Sequence, residues 1–187
     1  MKVLFPTIVV AGIVLCGSGK SLAQTADPKM EIFGSVGWAE LFRFDDSTPF
    51  GNSVAVGGGI GFRLLNRLGL EVEFHGMGGL EESVRTSMVA SVNGSYYFST
   101  RNATVQPYLL GGLGMLRTKN RVSTYLSRGS ETEFVDTGWG LNLGAGVRIP
   151  LSPKVSLRPE VRYINGVSKS RVNLGEVRAS MAAGYHW

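Results

Sequence analysis

Residues 54–74 read VAVGGGIGFRLLNRLGLEVEF, and the alternation in this stretch decides the fold. The even positions Val54, Val56, Ile60, Phe62 and Leu64 are apolar, while Ala55, Gly57, Gly59, Gly61 and Arg63 between them are small or charged. From Leu68 the parity is unchanged, with Leu68, Leu70, Val72 and Phe74 set against Gly69, Glu71, Glu73 and His75. A β-strand sends successive side chains to opposite faces, whereas a helix would mix the two sets. Only Asn66-Arg67 separates the runs, which is short enough for a hairpin turn.

Three later segments repeat the pattern. Trp139, Leu141, Leu143, Ala145, Val147 and Ile149 oppose Gly140, Asn142, Gly144, Gly146 and Arg148. Val155, Leu157, Val161 and Tyr163 oppose Ser156, Arg158, Glu160 and Arg162, with Pro159 predicting a bulge or a missing ladder bond. At the C-terminus Val177, Ala179, Met181, Ala183, Tyr185 and Trp187 oppose Arg178, Ser180, Ala182, Gly184 and His186. Less regular strands fall at Met30 to Leu41 (around Ile32, Val36 and Trp38), Met88 to Phe98, and Val105 to Leu116. In the last of these both parities are apolar or glycine, so its faces stay unassigned.

Eight strands result, joined by links that alternate in length. Short links lie at Asn66-Arg67, near Arg101-Asn102, and at residues 150–153; long ones occupy about Phe44 to Asn52, Gly78 to Arg85, Arg117 to Asp136, and Asn165 to Asn173. This is the pattern of a transmembrane β-barrel with periplasmic turns and extracellular loops, and it places both termini in the periplasm. A sheet with one face in lipid has to close, because a free edge would leave backbone polar groups without partners. The expectation is therefore an eight-stranded antiparallel transmembrane β-barrel with an apolar exterior and a polar lumen. Aromatic residues near strand ends, among them Trp38, Phe74, Tyr96, Phe98, Trp139 and Tyr163, suit the membrane interfaces.

The N-terminus follows the order of a secretory signal peptide: Lys2, an apolar run from Val3 to Leu15, then a small and polar segment ending in Ser21-Leu22-Ala23. Residues 1–23 are expected to be removed by cleavage near Ala23, leaving 24–187 as a barrel exported to the bacterial outer membrane. The apolar run falls short of the roughly 20 residues a spanning helix needs. Cys16, the only cysteine, lies inside it, so the exported chain would carry no thiol or disulfide. Leu15 stands where a lipoprotein signal has a small residue. Removing Lys2 and Lys20 lowers the formal charge from +5 to +3, too mild to argue for nucleic acid.

The strands Pro107-Tyr108-Leu109-Leu110-Gly111-Gly112-Leu113-Gly114, Gly140 to Arg148 and Pro159 to Tyr163, with the terminal Tyr185-His186-Trp187, carry a resemblance to the small outer-membrane barrels related to OmpA and OmpX. The resemblance implies an integral outer-membrane protein surrounded by lipid and lipopolysaccharide. It also implies delivery by the barrel-assembly machinery through a C-terminal signal at Tyr185 and Trp187. The family usually ends in Phe, so Trp187 is a departure that bears on how that signal is read.

Other motifs dissolve on inspection. Gly17-Ser18-Gly19-Lys20-Ser21 ends like a phosphate-binding loop, but Val14 occupies the place of its first glycine. The glycines from Gly57 to Gly61 sit inside an alternating strand and read as room for long inward neighbours. The inward set of Arg63, Glu71, Glu73, His75, Arg148, Arg158, Glu160, Arg162 and Arg178 is the candidate site, a lumen charge network whose members must pair to be tolerated away from water. It reads as a rigid polar plug, or alternatively as a gate of exchanging pairs in a small pore. His75 and His186 are predicted at opposite ends of the barrel, which argues against a shared metal site. No serine follows His75 until Ser83, so ester hydrolysis of the lipid A type finds no nucleophile there.

No cofactor or enzymatic activity is expected. The segment Arg117 to Asp136 reads as a solvated loop, with contact to lipopolysaccharide phosphates, a surface ligand or a host partner as the alternative. The role expected is structural or surface-interacting, with a low-conductance pore as runner-up; a lipid-modifying enzyme and a soluble ligand-binding barrel are more distant alternatives.

Overall fold

A computed structural model describes residues 30–43, 49–79, 86–100, 103–123, 131–168 and 174–187. The proposed signal segment and Cys16 lie outside these residues. Eight strands follow in order: β1 (Met30–Arg43), β2 (Pro49–Arg63), β3 (Leu68–Gly79), β4 (Thr86–Tyr97), β5 (Gln106–Ser123), β6 (Glu131–Pro150), β7 (Val155–Ser168) and β8 (Leu174–His186). Each pairs antiparallel with its neighbours, and β8 returns to β1 from Glu31↔His186 to Arg43↔Leu174, closing the barrel. No helix among the described residues is long and apolar enough to cross a membrane. The shortest strands have 12 residues, about 40 Å at the usual rise, enough to cross a bilayer core at a tilt.

The faces separate as the alternation predicts. Ile32, Val36, Trp38, Val56, Phe74, Val92, Leu113, Leu141, Leu143 and Val161 are exposed in a continuous apolar exterior, far more than a soluble surface carries. Buried inside, among the described residues, are five arginines, five glutamates and two histidines, together with Ser91, Asn93, Asn142 and Ser156.

Three details refine the sequence reading. First, β5 turns Tyr108, Leu110, Leu116 and Thr118 inward and Leu109, Leu113 and Met115 outward. Its faces were illegible because the lumen takes leucines at this strand, and only the register with β4, such as Ser95↔Leu110, fixes them. Second, at Pro159 the ladder with β6 skips from Gly146↔Glu160 to Ile149↔Leu157 with the register unchanged. Proline has no N–H to donate, so pairing lapses locally without a bulge. Third, the long links are shorter than expected. β2 begins at Pro49, β3 runs to Gly79, and β7 runs to Ser168. Most of Arg117 to Asp136 is strand, since the β5–β6 ladder continues from Arg117↔Thr137 to Ser123↔Glu131. Charge marks the edge of the apolar band there, and backbone pairing continues past it.

Candidate functional site

The lumen is built from inward positions on all eight strands, many of them bonded to strands that are not their neighbours in the sheet. In an eight-membered ring β3 faces β7 across the axis, and the principal ion pairs span that diameter. Arg158 Nη2 donates to Glu71 Oε2 at 2.5 Å, and Arg162 reaches Glu71, Glu73 and Glu160 together. Arg178 on β8 donates to Glu73 Oε1 at 2.7 Å, and His75 Nε2 lies 3.1 Å from Glu176. The Tyr108 hydroxyl donates to Glu160 Oε2 at 2.6 Å, and Asn142 donates to Asn93 at 2.8 Å.

Nearer the short turns, Arg63 donates to Gln106 at 3.0 Å and lies over the Tyr97 ring. Glu31 collects the Ser156 hydroxyl at 3.1 Å, Arg148 at 3.6 Å and Arg158 at 3.8 Å. Among the described residues the buried set holds five arginines (Arg63, Arg148, Arg158, Arg162, Arg178) and five glutamates (Glu31, Glu71, Glu73, Glu160, Glu176), so its formal charges cancel. Cancellation matters because an uncompensated charge in this buried interior would cost several kcal/mol.

Glycines make the room. A Cβ on Gly184 would run into the Glu31 carboxylate, and one on Gly146 would sit 2.6 Å from the Tyr108 hydroxyl. An interior pocket between Glu31, Arg63, Glu71, Tyr97, Arg148 and Arg158 holds about 20 Å³, space for a single water.

All nine residues of the candidate network are buried in this interior, with Arg63 and Arg148 near the short turns and Arg178 and His75 farther along the axis. The sequence reading missed Glu31, Tyr108 and Glu176. Glu31 and Glu176 stand at strand ends, just outside the stretches where alternation is clean, and Tyr108 belongs to the strand without a face signal. Tyr185 and Trp187 are exposed on the outer face with their rings stacked at 6.4 Å.

Residues 8–183 match the outer membrane protein beta-barrel domain family. The chain belongs to that family. Among curated proteins no relative matches. Several solved outer-membrane barrels share the fold of this beta-barrel domain. Neisserial surface protein A is 19% identical, with a TM-score of 0.70 over 85% of this chain and 97% of that one. The N-terminal barrel domain of Pseudomonas aeruginosa OprF is 16% identical, with a TM-score of 0.59 over 86% and 98%. Ail of Yersinia pestis is 18% identical, with a TM-score of 0.56 over 85% and 99%.

Within this outer membrane beta-barrel domain the two histidines occupy separate groups, and no cluster of three metal-ligating side chains converges among the described residues. A serine does meet a histidine, at His186 and not at His75: Ser156 Oγ lies 2.9 Å from His186 Nε2. The arrangement is not a nucleophilic relay. Glu31 approaches the same ring nitrogen as the serine, while the Arg148 guanidinium lies 2.7 Å from Nδ1 and 3.0 Å from Nε2, so a cation and not a carboxylate attends the ring's other nitrogen. Ser156 here bridges the Glu31 carboxylate and the His186 ring beside the β1–β8 seam.

Proposed function

We propose that the protein is a structural, surface-interacting component of the bacterial outer membrane, with a lumen that is a plug and no enzymatic activity. The observation carrying this reading is the matched set of five buried arginines and five buried glutamates braced across the barrel diameter. The formal charges of this set cancel, and its ion pairs cross the axis along which an ion would have to pass. The termini lie in the periplasm in this reading, residues 1–23 are removed on export, and Tyr185 and Trp187 present the assembly signal.

The opposite end faces outward and carries the surface contacts. Arg117 and Lys119 are exposed on the outer face of β5 just beyond Met115, where the apolar band stops, a placement that suits the phosphates of lipopolysaccharide. A related fold, Ail, has been crystallised with the heparin analogue sucrose octasulfate, and an anionic surface ligand fits the same basic edge here.

Single-channel recording of the refolded protein in a planar bilayer tests the plug. Wild type is expected to be silent, and Glu71→Gln with Glu73→Gln is expected to admit current or to lose the fold. Discrete openings in the wild type would replace the plug with a gated pore.

A further inference from the structure

The rim at the short turns has a composition of its own. Leu64 and Leu65 form the tip of the β2–β3 turn, their amides donating to the Leu68 carbonyl at 3.0 and 3.1 Å, yet both side chains are about 60% exposed (63% and 61%). Two adjacent leucines displayed at a tight turn are costly in water and favourable in a lipid interface. Beneath them lies an open cleft of about 1040 Å³. Its apolar wall comes from Phe62, Leu68 and Tyr96, which belong to the outward, lipid-facing set. Tyr96 packs edge-on against Phe98 at 5.4 Å on the same outer face. Its polar edge comes from Asn66, Arg67 and Thr100, with Arg63 behind.

No carboxylate lines the cleft among the described residues. The three short links contain Arg67, Arg101 and Lys154 and no Asp or Glu. A cation at the mouth of an apolar cleft at the membrane boundary fits an amphiphile with an anionic head. A headgroup with an ammonium of its own would find no acidic partner among these lining residues.

We propose that this cleft seats one anionic glycerophospholipid, with Arg67 against the phosphodiester and the acyl chains along Phe62, Leu68 and Tyr96. The inference uses the membrane placement of the barrel and is independent of whether the lumen conducts. Arg67 supplies the charge and Leu64-Leu65 cover the glycerol region, so the site combines recognition of the head with retention of the tails. The basic edge at Arg117 and Lys119, on the opposite rim, is a separate surface.

Native mass spectrometry of the folded protein in non-ionic detergent tests it, with phosphatidylglycerol, phosphatidylethanolamine and lipid A offered in turn. Wild type is expected to retain one phosphatidylglycerol, at least about fivefold above phosphatidylethanolamine or lipid A. Arg67→Gln is expected to lower that retention by about fivefold, with partial rescue by Arg67→Lys. Lys154→Gln, at another turn, should stay within about twofold of wild type. Leu65→Ser keeps the charge and is expected to lower retention by about threefold, which carries the test should Arg67→Gln not fold. Equal retention of the two phospholipids, lipid A retained as well as phosphatidylglycerol, undiminished retention in Arg67→Gln, or an equal loss in Lys154→Gln would each overturn the site.

Discussion

The interior of the barrel changes character along its axis. Toward the short turns it is ionic, with Glu31, Glu71, Glu73 and Glu160 meeting Arg148, Arg158, Arg162 and Arg178. Toward the other end apolar side chains enter it, with Ala39, Leu41, Ala55 and Met77 in one cluster and Val89, Leu116 and Ile164 in another, beside the buried His75–Glu176 pair. Both halves fill the lumen, and they do so with different consequences. An apolar layer tolerates exchange of one aliphatic side chain for another with modest cost. An ionic layer tolerates almost none, because each member left without its partner keeps a buried charge. The ionic half also fixes register, since a slip of one residue would send its arginines and glutamates into lipid.

The largest difference between the halves should come from Glu73→Gln. It weakens the acceptor for both Arg162 and Arg178 and is expected to destabilise the folded protein by about 3–5 kcal/mol, read from equilibrium urea unfolding in phospholipid vesicles. Ile164→Ala in the apolar layer should cost about 2 kcal/mol by the same titration. A larger loss at Ile164 than at Glu73 would mean that aliphatic packing, and not the ionic braces, dominates the interior.

A finer test uses glycines. Gly146→Ala pushes into the Tyr108 hydroxyl that serves Glu160 and is expected to cost about 1–3 kcal/mol. Gly78→Ala, whose added methyl meets nothing within 4 Å, should change stability by less than about 0.5 kcal/mol. Equal effects at the two positions would show that the room around Tyr108 and Glu160 is not tightly specified.

The same contrast explains what could be read from the chain alone. Alternation is strongest where small or charged inward residues oppose apolar outward ones, so β2, β3, β6, β7 and β8 were legible with their faces. It fades where the lumen itself is apolar: Leu110 and Leu116 on β5 and Phe33 and Leu41 on β1 look like exterior residues until neighbouring strands fix the register. The members of the charge network on β3 and β7 could be named from parity. Their pairing across the diameter could not, because it depends on ring closure and the relative stagger of strands far apart in sequence. Leu64, Leu65 and Arg67 were visible only as a short turn, and the cleft beneath them needs the neighbouring Tyr96 and Thr100 to exist.

The braces that span the barrel also set the order in which it can be built. Glu71 and Glu73 emerge early in the chain, yet their partners Arg158, Arg162 and Arg178 follow 87 to 105 residues later. A sheet containing only the first six strands holds two carboxylates with no cation opposite them, and water has to remain in its concave side. Neutralisation of those carboxylates therefore waits for β7 and β8, the strands that also close the barrel. Contacts of such long sequence separation are slow to form. The network that rigidifies the finished protein is thus complete only when the last two strands have arrived.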